Sequence, residues 1–491
     1  MNQQKKIASL VTSKYYPWLL GFIALLFVTL FSRATSFLYL FEGADPAIFK
    51  QMGRAVMKGK ILYIDYFDNK GCLLYFIHAL GLWLGGDSIL LLMQACSLTI
   101  TLLIWDKMLA LYRNANQRLA GLSLVLILLL CFYGAGDQTQ EWCLPFISYP
   151  LLVYFKAYKN QTEIRPKKNL LIGVCFGVIT FIQINNACAF LGFIAWLWIQ
   201  YLMKKDFKQL FSSILFFLCG WLIIAIPCVL YFYIVAGGHG IYEMVYASFL
   251  SNFEYMGIQK HRSWYYWLPY SLFLLSFLVL SILCLSKKKD IIIPLILSSC
   301  FFVLTFGKLC NSFYLMAILP LCVVIIAFND NEKKKQLKLS VFGLSFFCAI
   351  ITGSMVFYHF VNDLMFQNEK EVLIYHDFHQ CIENIPETER DSIFNYNLFW
   401  HGYGMMEHEN LLQCNRVSIA YDLPSLMKEE ASRPSILPKW IILSFNMKYY
   451  KEDVDFILKN YEMMATFHYD RLYFQKPRIG NELEISVFRK K

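Results

Sequence analysis

The feature that most limits what this chain can fold into is a recurring apolar stretch of about 15–25 residues. "LFSSILFFLCGWLIIAIPCVLYFYIVA" (Leu210–Ala236) is the longest. A hydrocarbon core of about 30 Å takes about 20 helical residues to cross. A backbone in lipid must satisfy its own hydrogen bonds, which helices do within one segment. The 491 residues are 57% hydrophobic and 16% charged, against about 25% charged in a soluble domain. The chain is therefore expected to be a polytopic α-helical membrane protein. Candidate spans are Pro17–Phe31, Ile89–Leu111, Leu119–Ala135, Cys143–Tyr158, Asn169–Ile184, Ala187–Met203, Leu210–Ala236, Trp264–Leu285, Ile291–Phe306, Phe313–Phe328 and Leu339–Val361.

One segment fits poorly. "CLLYFIHALGLWL" (Cys72–Leu84) is apolar, but at 1.5 Å per residue it reaches only about 20 Å. Cytoplasmic loops carry the Lys/Arg excess. Here the basic loops are Lys5/Lys6/Lys14, Arg113/Arg118, "KAYKNQTEIRPKK", "KKDFK", "SKKKD" and "NEKKKQLK". All fall on one side only if Cys72–Leu84 does not cross. The expectation is about 11 transmembrane helices plus juxtamembrane helices in a cytoplasmic (inner) membrane, N-terminus inside and C-terminus outside. Lys5 and Lys6 precede a span with no small-residue cleavage site, so that span is expected to remain. The net charge of +10 is mostly this inner-face bias and not a nucleic-acid footprint. The 15 cysteines are scattered through the spans as small apolar residues. None has metal-ligand spacing, and whether Cys381 and Cys414 pair is left open.

Residues 1–361 make the membrane body, with a long first outer loop at 42–84 and a second near 237–262. Residues 362–491 turn polar. "SIFNYNLF" and "PKWIILSF" predict strands, "EDVDFILKNYEMMATF" a helix, and "LEISVF" a closing strand. At about 130 residues this tail can bury a core of its own, as a small extracytoplasmic α/β domain.

The first outer loop holds the densest chemistry. Asp45-Pro46 in "FEGADPAIF" reads as a helix start, Asp as N-cap and Pro at N1. The residues that follow put Ile48, Phe49, Met52, Ala55 and Val56 on one face, and Lys50, Gln51, Arg54 and Lys58 on the other. That pattern predicts an amphipathic helix lying in the interface. "GKILYIDYFDNKGCLLYFI" then returns Asp65, Asp68 and Lys70 to the same surface, and "GDQTQEW" adds Asp137 and Glu141. Arg33 ends the first span, where a cation snorkels or pairs. Each charge alone could be a solvated loop residue or a helix cap. Together they suggest a site for something anionic and membrane-bound.

An Arg ending the first span, then "GADPAIF", then "GKILYIDYFDNKGCLLYFI", resembles the first outer loop of GT-C glycosyltransferases. The closer resemblance is to the branch of protein O-mannosyltransferases and lipid A aminoarabinose transferases. That family's loop runs Asp-(Glu/Ala), then Gly-x-x-x-Tyr-x-Asp, then Lys-Pro-Pro. Asp45, Gly59, Tyr63, Asp65 and Lys70 match it. The sequence departs at Pro46, where many members carry Glu, and at Gly71-Cys72, where prolines are replaced. The motif spans about 45 residues, and the topology the membrane body.

The resemblance implies an inverting transfer of sugar from a polyprenyl-phosphate donor to an acceptor hydroxyl on the outer face. The acceptor would be a lipid, glycan or protein. The leaving phosphate is already a stable anion, so one general base suffices. The resemblance assigns that role to Asp45, and a helix N-terminus would lower its pKa. Lys70 matches the phosphate-binding Lys, with Arg54, His261 and Arg262 as positional candidates. Asp137 or Glu141 matches the second outer-face acid, which orients the acceptor or shares a divalent metal; metal use is left open. Arg33, Tyr63 and Asp65 are supporting residues. The alternatives are an envelope-polysaccharide polymerase or ligase, and a transporter or flippase of lipid-linked sugars. A transporter would place ionisable residues inside its spans.

Overall fold

The computed structural model describes residues 9–34, 43–134, 136–252, 264–285, 287–306, 311–328, 335–366, 376, 378–380, 382–396, 406–414, 416, 438–444, 458–470 and 482–491. His261, Arg262 and Cys381 lie outside them.

The helices are α1 (Tyr16–Phe31), α2 (Ala44–Met57), α3 (Cys72–Gly85), α4 (Asp87–Leu109), α5 (Ala115–Phe132), α6 (Thr139–Asn160), α7 (Pro166–Gln183) and α8 (Cys188–Met203). They continue as α9 (Phe207–Val245), α10 (Trp264–Leu285), α11 (Lys289–Phe306), α12 (Leu319–Phe328) and α13 (Lys335–Phe366). Among the described residues, six helices are long and apolar enough to cross a membrane; the one at Pro166–Met203 joins α7 and α8. This is a multi-pass membrane protein.

Local sequence fixes several ends. Asn114 caps α5 in a reciprocal box, its side chain accepting from Gln117 N (3.1 Å) while the Gln117 amide reaches back to Asn114. Asp206 starts α9 by accepting from Gln209 N (3.1 Å). At the joint of α7 and α8, Gln183 is extended (φ −166°, ψ 105°), and a 3-10 turn at Ile184–Ala187 follows. Along α9, Phe211, Leu215, Leu218, Leu222, Ile226, Leu230 and Ile234 are exposed at helical spacing. A stripe left uncovered by the described residues is a lipid-facing one. Asp106, at the end of α4, is bound by Arg118 Nε (3.0 Å) and by Tyr16 OH (3.3 Å), so this buried acid fastens α1, α4 and α5.

α3 is 14 residues long and packs on α2 and α4. It is short of the length that crosses a bilayer.

The C-terminal residues form a four-stranded sheet in the order β1 (Ile393–Tyr396), β2 (Trp440–Ser444), β4 (Glu482–Lys490), β3 (Tyr461–Asp470). β1 and β2 are parallel, the other pairs antiparallel. The helix expected over "EDVDFILKNYEMMATF" is corrected in its second half: Leu458–Asn460 are helical, Tyr461–Asp470 are strand, and residues 452–457 lie outside the described residues. Tyr461, Phe467 and Tyr469 are strand formers, and the β4 ladder outweighs a helical spacing of apolar residues.

A second correction concerns α2. Its polar face does not lie against water. Lys50 is 2% and Gln51 3% exposed, because the C-terminal chain packs over them. Lys50 Nζ lies 2.7 Å from Asp87 and 3.8 Å from Glu407, Arg54 pairs with Glu407, and Lys58 pairs with Asp391. Arg416 closes the seam: Nε donates to Tyr63 O (3.0 Å), its guanidinium pairs with Glu243 of α9, and its carbonyl accepts from Phe67 N (2.7 Å). Leu412 is buried in the apolar core of the membrane body.

Candidate active site

The start of α2 differs from the expected cap. Gly43 is the N-cap residue and Asp45 lies inside the first turn. Pro46 is harmless so early, where the N–H has no helical partner anyway. The Gly43 N–H donates to Arg33 O (3.0 Å), which ties the end of α1 to the start of α2.

Asp45 is half-buried. It faces Lys70 and Asp68 from the loop before α3, and Asp137 and Gln138 from the turn before α6. Burial pushes its carboxyl above the ordinary range, against Lys70 and Gln138, which pull it down, and with Asp68 and Asp137, which push it further up. The helix terminus therefore does not decide this pKa; loss of water does.

The neighbouring acids are spoken for. Asp68 accepts from Asn69 N and from Tyr75 OH, both at 2.7 Å. Asp137 is fully buried, with Oδ1 accepting from Trp142 Nε1 (2.7 Å) and Oδ2 against His78 Nε2 (2.8 Å). His78 Nδ1 meets Leu74 O at 2.7 Å. Both ring nitrogens meet oxygen atoms, so the imidazole is held at both ends. Glu141 accepts from Tyr133 OH (2.7 Å) and from Asp137 N (2.8 Å). Glu141 precedes the apolar stretch of α6, and burial pushes it up to about 8 despite the Tyr133 hydrogen bond, with Asp137 adding to the rise. All four oxygens of Asp137 and Glu141 thus meet protein partners. Among the described residues no group of three or more His, Cys, Asp or Glu could hold a metal.

Lys70 is placed by the loop before it. Tyr63 has a left-handed backbone (φ 68°), a conformation that costs about 1 kcal/mol or more outside glycine. Arg416 holds its carbonyl, and its buried hydroxyl donates to Lys70 O (2.7 Å). Asp65 stabilises the preceding turn by accepting from Ile61 N (2.7 Å). Lys70 Nζ bonds Asn69 and stands 3.9 Å from Asp68. Beside it, the Gly71 N–H donates to Ile182 O (2.8 Å), a carbonyl next to the break after α7. A Cβ at residue 71 would overlap the Phe181 carbonyl. Gly71 thus supplies an N–H and a close approach that proline cannot.

The site brings together Asp45, Lys70, Asp68 and the Asp137–Glu141 turn, with Tyr63 and Asp65 shaping the loop. Arg54 points instead into the seam with Glu407. Sequence reasoning missed His78, Gln138, Lys50, Glu407 and Arg416. Only Gln138 carried a signal, through the Gly-Asp turn preceding it.

The sequence matches no family model and no curated protein. The fold is similar to crystal structures of the Archaeoglobus fulgidus oligosaccharyltransferase. For the apo form the likeness covers 93% of this chain and 74% of that one at 12% identity, TM-score 0.45. For the complex with zinc and sulfate it covers 92% and 72% at 13% identity, TM-score 0.46. For the form tethered to an acceptor peptide it covers 94% and 73% at 12% identity, TM-score 0.47. At that identity and score the likeness carries no functional weight.

Proposed function

We propose that this protein is a GT-C-type membrane glycosyltransferase. It moves a sugar from a polyprenyl-phosphate donor to an acceptor hydroxyl at the outer face, with Asp45 as general base. One observation carries this. Of the acids gathered here, Asp68, Asp137 and Glu141 have every oxygen against a protein partner. Among the described residues, Asp45 faces Lys70 and the Gln138 amide. It is the least engaged of these acids and so the one best placed to take an acceptor proton. Burial makes it a stronger base than a solvated carboxylate, in the direction an efficient base requires.

Lys70 supplies the positive charge for the donor phosphate and for the phosphate that leaves. Attack by the acceptor oxygen on the anomeric carbon breaks the bond to phosphate oxygen, and the hydroxyl proton passes to Asp45. The base works only when ionised. Transfer is therefore expected to rise with pH through an Asp45 pKa above the usual carboxylate value, read from a pH–rate profile.

The test is mass spectrometry of polyprenyl-phosphate sugars and envelope glycans in cells lacking the protein, rescued by wild type or Asp45→Asn. Accumulation of one lipid-linked sugar and loss of one glycan, both corrected only by wild type, is the expected result. Equal rescue by Asp45→Asn overturns it. The eleven-crossing arrangement with the tail outside belongs to the same proposal. Cys414 is an exposed thiol, so a membrane-impermeant maleimide should label it in intact cells; labelling only after lysis would reverse the orientation.

A further inference from the structure

The seam between the tail and the membrane body is held at two places with different targets. Glu407 and Asp391 pair with Lys50, Arg54 and Lys58, all on α2 or at its C-cap. Arg416 goes instead to the loop that ends in Lys70. Its Nε donates to Tyr63 O (3.0 Å), its carbonyl accepts from Phe67 N (2.7 Å), and its Cζ lies 5.7 Å from the Phe67 ring centroid. The same guanidinium pairs with Glu243 near the end of α9. The chain leaving α9 then returns to this loop. Ser248 Oγ meets the Tyr63 hydroxyl at 3.5 Å, and Asn252 Nδ2 donates to Asn69 O at 3.2 Å.

Tyr63 joins these contacts to Lys70. Its backbone is left-handed (φ 68°), a conformation that a tyrosine keeps only when its surroundings hold it there. Arg416 Nε holds its carbonyl, and its ring is buried against Tyr75 and Phe232. The hydroxyl at the far end of that ring donates to Lys70 O (2.7 Å). One residue further, the Gly71 N–H donates to Ile182 O (2.8 Å). The Lys70 backbone is thus pinned on both sides, while Asn69 holds its Nζ. A cation fixed in this way meets an anion at a smaller cost in side-chain and loop ordering.

We propose that Arg416 is a positioning residue for Lys70: through Tyr63 it holds the loop at 61–70 so that Lys70 meets the lipid phosphate, which makes the tail part of the donor site. The proposal rests on the reading of Lys70 as the phosphate-binding cation. Arg416 acts through a carbonyl, an aromatic ring and a hydroxyl. Without its Nε bond, Tyr63 relaxes toward negative φ and its hydroxyl leaves Lys70 O.

Two readouts on the full chain separate position from binding. Hydrogen–deuterium exchange over residues 61–71 needs no lipid donor, and native mass spectrometry measures affinity for undecaprenyl phosphate. Arg416→Lys keeps the charge beside Glu243 and should speed exchange there about fivefold, the worth of one hydrogen bond. Arg416→Ala should speed it further and weaken undecaprenyl phosphate binding about fivefold, as the competent fraction of the loop falls. Tyr63→Phe cuts the link to Lys70 and should weaken binding similarly. In Arg416→Ala with Tyr63→Phe the two losses should not add, because both act through one contact. Glu407→Ala breaks the other half of the seam and should leave exchange over 61–71 and lipid affinity as in wild type. Unchanged exchange in Arg416→Ala, additive losses in the double variant, or equal loosening by Glu407→Ala each overturns the proposal. Should Arg416→Ala not fold, Arg416→Lys and Tyr63→Phe carry the same comparison. Wild type that binds no undecaprenyl phosphate removes the donor reading itself; the exchange result, obtained without lipid, still decides whether Arg416 holds the loop.

Discussion

The two ends of α2 carry charge in opposite conditions. Toward its C-terminal end, Lys50 and Arg54 are buried or nearly so and matched, Lys50 by Asp87 and Glu407, Arg54 by Glu407. At its N-terminal end, Asp45 has lost water and faces one cation, Lys70, and the Gln138 amide, with two further acids nearby. A buried charge with a partner holds two pieces of chain in one arrangement. A buried charge with too few partners is poised for something that is not part of the protein. On the proposed reading, one helix of 14 residues thus serves as anchor at one end and as chemistry at the other.

That contrast can be broken from either side. The largest effect is expected at Asp45. Asp45→Asn should lower transfer by about 10²–10⁴-fold while leaving stability within about 1 kcal/mol of wild type, since an amide in the first turn gives up only a small helix-dipole term. A destabilised protein with normal turnover per folded molecule would erase the distinction between the two ends.

Glu407→Ala should do the reverse. It strands Arg54 in the seam and should destabilise by about 3 kcal/mol, the low end for a buried pair because Arg54 keeps some exposure. Denaturant unfolding in nanodiscs measures this, with transfer per folded molecule expected to persist. Gly71→Ala comes next, at about 1–3 kcal/mol of overpacking against the Phe181 carbonyl. Because Lys70 is the adjacent residue, that variant should also raise the donor KM more than it lowers kcat. Arg416→Lys should be mildest, about 1 kcal/mol, through loss of the Nε bond to Tyr63 O with the charge kept; equal loss in Arg416→Ala would mean the charge is idle.

Much of the architecture was legible because it depends on short-range pattern. Apolar runs are read from neighbours in sequence, and a segment too short to cross a bilayer is recognised by counting. The loop from Tyr63 to Lys70 was legible for the same reason: the Tyr63 hydroxyl and the Lys70 carbonyl it holds are seven residues apart. The amphipathic pattern of α2 was also read correctly as a pattern, but its polar face was assigned to water. Periodicity says which side chains share a face and not what covers it. Likewise, aromatic residues in β3 fit a helical spacing loosely, and only the β4 ladder made them a strand.

The sequence by itself determined a multi-pass helical protein and a first long loop bearing Asp45 and Lys70, because hydrophobic length and local turn chemistry act over a few residues. The tertiary structure alone decided which partners each of the clustered acids finds. Asp137 is taken by His78 from 59 positions away, and Arg54 by Glu407 from 353 positions away. Charges so far apart in the chain meet only after the helices pack. Whether a carboxylate becomes a strut or a base follows from the partners it then finds and the water it has lost.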